Sequence, residues 1–298
     1  MRLTRVIILR PIRRIRGYGE GRPALDYLTH FGLAAEPFST TPDPQFGFQS
    51  QEHMLAIAKV AYAVQSRKGL FLLMGEPGTG KTTISQLAKN SWQAEPDRYS
   101  VAYLDDPSPR TAAAFLRLVL AAFGQPITRN LQDLKARLRT FLVEEYEAGR
   151  TVVLMLDEAQ TLSHDNLETI HQLFNLQTQK VKLIQVVLLA QPNFQNKLTH
   201  KPELKSRIVS ATTLNSLTFD DAINLLRHRM TVAGGDFDAV FPATLHTAIY
   251  DVTRGIPRDL CALCDGAMLN ARVMQKKVVD EVTLGRAIHD LEPRWNKK

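Results

Sequence analysis

The chain divides by the period of its apolar positions. Between residues 70 and 190, short and mostly apolar runs alternate with longer stretches whose apolar residues recur every three or four positions. The runs at 70–74, 100–104, 152–156 and 183–190 have the length and composition of buried strands. Helical spacing predicts helices over 50–66, 81–92, 109–123, 130–148 and 163–176, and a short strand is expected near 211–214. Strands alternating with helices predict an α/β fold around a parallel sheet. From Thr218 the pattern is helical only, over 218–233, 242–253, 257–275 and 282–291, with Gly234-Gly235 and Gly255 as punctuation. Three parts are therefore expected: an arm over residues 1–26, an α/β domain over 27–217 and a small helical lid domain over 218–298. Near the start of the second part, Pro37, Pro42 and Pro44 fall within eight positions and favour extended, turn-rich chain.

Composition narrows the class. Of 298 residues, 44% are hydrophobic and 22% charged, the balance of a soluble globular chain long enough for a full core. No apolar run nears the roughly 20 residues that cross a bilayer. Val6-Ile7-Ile8-Leu9, closed by Arg10, is too short for the core of a signal peptide. The expected setting is the cytoplasm, without a membrane span. Cys261 and Cys264 form a lone C-x-x-C in a helical stretch. A zinc site needs four ligands, so helix packing is the expected role.

The net charge of +7 is unevenly spread. Seven arginines (2, 5, 10, 13, 14, 16 and 22) face only Glu20 and Asp26 in the first 30 residues, which leaves +5 there and +2 elsewhere. Such an arm suits nucleic-acid phosphates or an anionic membrane surface. A solvated tail, or extra residues from an upstream start codon, accounts for it equally well.

The candidate chemistry begins at Gly75-Glu76-Pro77-Gly78-Thr79-Gly80-Lys81-Thr82, which follows an apolar strand and opens a helix. In a P-loop of this form the backbone N–H groups cradle phosphates. Lys81 supplies charge to the β- and γ-phosphates of ATP, and the Thr82 hydroxyl takes a place on Mg²⁺. Asp157-Glu158 ends the apolar run Val152 to Leu156, in the manner of a Walker B element. Asp157 would hold the metal through its water shell, and Glu158 would act as base toward the attacking water. Together these predict an ATPase. Gln191, after the fourth strand, could orient water. Arg207 could reach a neighbouring subunit's nucleotide, and Arg258, at the start of a lid helix, could sense the γ-phosphate. Taken singly, each of the three reads as a surface polar residue.

From about Tyr27 to Arg286 the sequence resembles the ExeA-related AAA+ ATPases. The resemblance rests on FGL-x3-PF-x3-PDP (31–44), GEPGTGKTT (75–83, ending at Thr83), LDEAQTLS (156–163), LLAQPNF (188–194) and RGIPRDLCALCDGAML (254–269), in that order. It implies a three-layer α/β/α sandwich with a helical lid. It also implies Walker A roles for Lys81 and Thr82, Walker B roles for Asp157 and Glu158, and sensor roles for Gln191 and Arg258. Arg207 falls near the usual arginine finger, and a cysteine of the family aligns with Cys264. The segment 31–48 would frame the adenine, with Pro37 and Phe38 close to it. ExeA-type proteins continue into a membrane span and a peptidoglycan-binding domain, and this chain ends without either. It is similar in organisation to free-standing transposition ATPases of the TnsC, TniB and MuB kind. The function expected is therefore ATP-dependent assembly, as a ring or filament of like subunits, on double-stranded DNA. Such an assembly would regulate transposition through a transposase, with Lys180, Lys182 and Lys197 as further candidate DNA contacts. The alternative is a type II secretion or envelope-assembly ATPase.

Overall fold

The computed structural model describes residues 27–40, 46–48 and 50–295. The arginine-rich arm expected over 1–26 lies outside the described residues. Two helices, α1 (Tyr27–Phe31) and α2 (Gln51–Gln65), precede the first strand, β1 (Leu70–Gly75). There follow α3 (Lys81–Gln93), β2 (Tyr99–Leu104), α4 (Ala112–Ala122), α5 (Leu131–Glu147) and β3 (Thr151–Leu156). Then come α6 (His164–Leu173), β4 (Ile184–Ala190), the short α7 (Phe194–Thr199) and α8 (Pro202–Lys205), and β5 (Ile208–Leu214). The remainder is helical: α9 (Phe219–Val232), α10 (Phe237–Val240), α11 (His246–Thr253), α12 (Pro257–Val273) and α13 (Glu281–Trp295).

Several of the helices begin where a side chain accepts a free backbone N–H. Ser50, Thr111, Asn130, Ser163 and Thr218 do so for α2, α4, α5, α6 and α9. The Thr111 cap sets the start of α4 at Ala112, three residues later than apolar spacing alone suggests.

All five strands are parallel, in the order β2-β3-β4-β1-β5. Because strand side chains alternate between faces, one strand feeds two cores. Leu70, Leu72, Leu154 and Leu188 face a core with Phe115 of α4, Leu138 of α5 and Ile170 of α6. Phe71, Leu73, Val153 and Val187 face the opposite core, with Val60 of α2 and Ile84 of α3. The result is a three-layer α/β/α sandwich.

A third core gathers α9 to α13 and holds Ala222, Leu226, Ile249, Leu260 and Met268. Tyr27, Leu33, Phe38 and Phe46 pack into it rather than into either sheet core. Residues 27–40 and 46–48 thus join the C-terminal helices by packing, although they precede the sheet in sequence. Arg229 of α9 fastens them: its Nε donates to Pro37 O (2.6 Å), its Nη2 to Ser39 O (2.7 Å), and its guanidinium lies over the Phe46 ring. Tyr27 adds a hydrogen bond from its hydroxyl to Asp265. Cys261 and Cys264 are free and buried in the same core, and burial pushes the Cys261 thiol up to about 11 and raises that of Cys264 as well. Both are inert packing residues. Among the described residues no helix is long and apolar enough to cross a membrane.

Arg229→Met keeps the aliphatic stem and removes both donors to the 37–39 backbone. It is expected to cost about 1–3 kcal/mol in urea unfolding and to open the 37–48 segment to limited proteolysis while the sheet stays intact.

Candidate active site

The loop between β1 and α3 curls at Gly78 (φ +87°) and Gly80 (φ +103°), angles that residues with a side chain rarely adopt. Other elements press on it closely. A Cβ on Gly75 would lie 2.8 Å from Leu214 O at the end of β5; one on Gly78 would lie 2.9 Å from Arg258 Cβ; one on Gly80 would lie 2.8 Å from His53 Nε2. Glu76 and Pro77 are exposed at its tip, and the Thr79 hydroxyl donates to Glu76 O at 2.8 Å. The Lys81 side chain folds back over the loop. Only 7% of the residue is exposed, and Nζ donates to Gly75 O (2.8 Å) and Glu76 O (3.0 Å). Burial draws its pKa down against the pull of Glu158, Asp157 and Glu76, and the Arg258 charge lowers it further. A cation already out of water, beside the start of a 13-residue helix, favours a phosphate group.

Thr82 and Asp157 meet beside this loop. The Thr82 hydroxyl donates to Asp157 Oδ2 at 3.1 Å, and the Glu158 N–H donates to Asp157 Oδ1 at 2.8 Å. Asp157 is 5% exposed and receives a third donor, the Tyr103 hydroxyl, at 2.6 Å. Burial and that bond raise the Tyr103 pKa, so the phenol stays a donor. No motif announces Tyr103. The one clue is strand register, since it sits opposite Met155, two residues before Asp157. The oxygen donors of Thr82 and Asp157 fit Mg²⁺, which keeps several waters and shares substrate phosphates. Among the described residues no cluster of three or more His, Cys, Asp or Glu side chains is arranged to hold a metal. A metal here would therefore complete its shell from phosphate and water.

Glu158 is exposed, with a left-handed backbone (φ +48°) that turns it out of the strand direction. The Gln191 side chain, after β4, donates to Glu158 Oε2 at 3.2 Å. Gln160 donates to the same oxygen and accepts the Gln191 backbone N–H at 3.1 Å. The structure thus brings Gln191 to Glu158 and adds Gln160, which sequence reading missed. Gln160 lies in the three-residue turn Ala159–Thr161, where periodicity carries no signal.

Arg258 is brought to the loop as well: its backbone N–H donates to Gly78 O at 3.3 Å from the first turn of α12. Thr83 is exposed next to Thr82 on α3. Arg207 is not brought there. It is exposed just before β5, at the end of the sheet where Ile208 pairs with Leu70, whereas Leu214 pairs with Gly75 at the loop end. Pro37 and Phe38 lie against the helical core. Phe38 is 1% exposed and stands edge-on to Phe241 in the helical core, so neither face of its ring is open to a base. Pro37 is buried, with its carbonyl held by Arg229. Two of the candidate DNA lysines are also engaged internally: Lys182 with Phe174 O and Gln177, Lys197 with Leu162 O.

Residues 64–198 match the family model described as an AAA domain. In three dimensions the chain superposes on the ORC2 protein of Aeropyrum pernix, solved in ADPNP and ADP complexes. The TM-score is 0.62, at 19% identity, over 86% of this chain and 71% of that one. It superposes equally on the ORC1 protein of Aeropyrum pernix in complex with DNA: TM-score 0.63, 16% identity, 86% and 69% of the two chains. This is an AAA-type P-loop ATPase fold. By sequence, the AAA region and its surroundings are 35% identical over 249 residues to the General secretion pathway protein A of Aeromonas hydrophila. That match covers 82% of this chain and 45% of the relative, so the chain spans less than half of the relative's length.

Tyr103→Phe deletes one charge-assisted hydrogen bond to Asp157 and leaves the ring in place. Unfolding in urea is expected to become easier by about 1–2 kcal/mol, with an unchanged circular dichroism spectrum.

Proposed function

We propose that this chain is an ATP-hydrolysing AAA+ switch whose nucleotide lies between the loop 75–83 and the helical unit. The observation that carries this reading is the direct contact of the two: the Arg258 N–H bonds to Gly78 O, and Arg258 and Ile256 pack on Gly78. A nucleotide seated on the loop would then be felt by α12. In this reading the backbone of Gly75 to Gly80, with Lys81, Thr82 and Thr83, holds the phosphates. Thr82 and Asp157 hold Mg²⁺, whose charge would offset that of the phosphates when it is bound. Glu158 takes the proton of the attacking water, and Gln160 and Gln191 fix its carboxylate. Arg258 senses the γ-phosphate. Arg207, at the far end of the sheet from its own loop, serves the nucleotide of a neighbouring subunit, so hydrolysis belongs to a homo-oligomer. The unit 218–298 acts as the lid, together with residues 27–40 and 46–48 that pack on it.

The setting proposed is assembly of a secretion or envelope machine through a partner protein. The support is the 35% identity to General secretion pathway protein A. The second reading is assembly on double-stranded DNA, in the manner of a transposition regulator that meets a transposase. Its supports are the fold shared with an ORC1 protein solved on DNA and the seven arginines within residues 1–30.

Two variants test the chemistry. Lys81→Ala is expected to abolish binding of a fluorescent ATP analogue. Glu158→Gln should bind ATP normally and lose about 100-fold or more in turnover, the scale of a general base; normal turnover would remove Glu158 from that role. Electron microscopy separates the settings. Rings or filaments that form with ATP and no DNA favour the secretion reading. Assembly that requires duplex DNA, and weakens steeply between 50 and 200 mM salt, favours the second.

A further inference from the structure

His53 lies outside every motif named above, 26 residues before the carbonyl it contacts. It belongs to the first turn of α2 and is 6% exposed. Its Nδ1 is 2.7 Å from Ser50 Oγ, its Nε2 is 3.1 Å from Thr79 O, and its own backbone N–H donates to Ser50 Oγ at 3.3 Å. These contacts fix the tautomer. A carbonyl only accepts, so Nε2 must carry the proton and donate to Thr79 O. Nδ1 must then accept, which the Ser50 hydroxyl satisfies while its oxygen takes the His53 N–H. Burial holds the His53 pKa below the ordinary imidazole value, outweighing the Thr79 bond and the Glu52 and Asp221 carboxylates, so the ring is neutral at neutral pH.

A peptide group is planar and trans, so its C=O and N–H point in opposite directions. Holding Thr79 O therefore also aims the Gly80 N–H, away from His53. The approach is so close that a side chain on Gly80 would meet the imidazole. We propose that His53 is a positioning residue that orients the Thr79–Gly80 peptide so that the Gly80 N–H faces the phosphates. This rests on the nucleotide site proposed above. Ser50 caps α2 and sets the imidazole tautomer at once, so the start of a helix that lies outside the motif controls one donor of the phosphate cradle.

The test is calorimetric titration of the full chain with ADP and ATP. His53→Phe retains a ring without a donor and is expected to weaken both nucleotides alike, by about tenfold for one lost hydrogen bond. The kcat at saturating ATP should be unchanged. His53→Gln, whose amide can reach Thr79 O, should recover most of the affinity. Wild-type affinity in His53→Phe overturns the proposal, as does a His53→Gln protein no tighter than a folded His53→Phe. If His53→Phe does not fold, Ser50→Ala decides, since it frees the tautomer: weaker ADP binding supports the proposal, and unchanged binding overturns it. A wild-type chain that binds neither nucleotide would instead sink the nucleotide reading itself.

Discussion

A loop of five residues between a strand and a helix has too few internal hydrogen bonds to keep a concave shape, and the shape here depends on contacts to its back. Leu214 of the edge strand meets Gly75, the first turn of α12 meets Gly78, and His53 of α2 meets Gly80. The three belong to different elements: the edge strand of the sheet, the first turn of α12 in the helical unit and the first turn of α2 over the sheet. The glycines are needed as much for these approaches as for the turns themselves. A change in how any of those elements pack reaches the loop backbone directly, because a glycine puts no side chain of its own between them.

The carboxylate of Asp157 plays a comparable part on the other side of the site. It collects donors from α3, β2 and its own strand end, so it ties Thr82, Tyr103 and the Glu158 peptide to one point. A charge this buried is tolerable only with such a set of donors. The same network leaves Glu158 outside it, turned toward Gln160 and Gln191 and open to solvent. Two adjacent acids in sequence thus come to opposite circumstances, one enclosed among three donors, the other exposed and held by two glutamine side chains.

Much of this was legible in the residue order. Buried parallel strands read as mostly apolar runs, and apolar spacing places the longer helices. The loop and the acidic pair read directly because their chemistry is local. What escaped acts through tertiary contact: Tyr103 through strand register, Gln160 from a turn with no period, His53 across 26 residues. The place of the segment around Phe38 is likewise set by tertiary contact: its aromatic ring is buried among the C-terminal helices, where Arg229 donates to the carbonyls of Pro37 and Ser39. The short α7 and α8 fall below the length at which spacing can distinguish a helix from a loop.

The placement of Arg207 carries a consequence for symmetry. It sits at the opposite end of β5 from the loop, about 20 Å away at the usual rise of a strand. If two copies meet so that this arginine reaches the other's loop, the surfaces in contact are different on the two partners. A two-fold pair cannot form that way; the contact repeats in one direction, and it either closes on itself after a full rotation or continues as a helix. An open array would have unlike ends, one offering an arginine with no loop to enter and the other a loop with no arginine. Growth and disassembly could then proceed at different rates at the two ends, set by a single residue that contributes nothing to the site of its own chain.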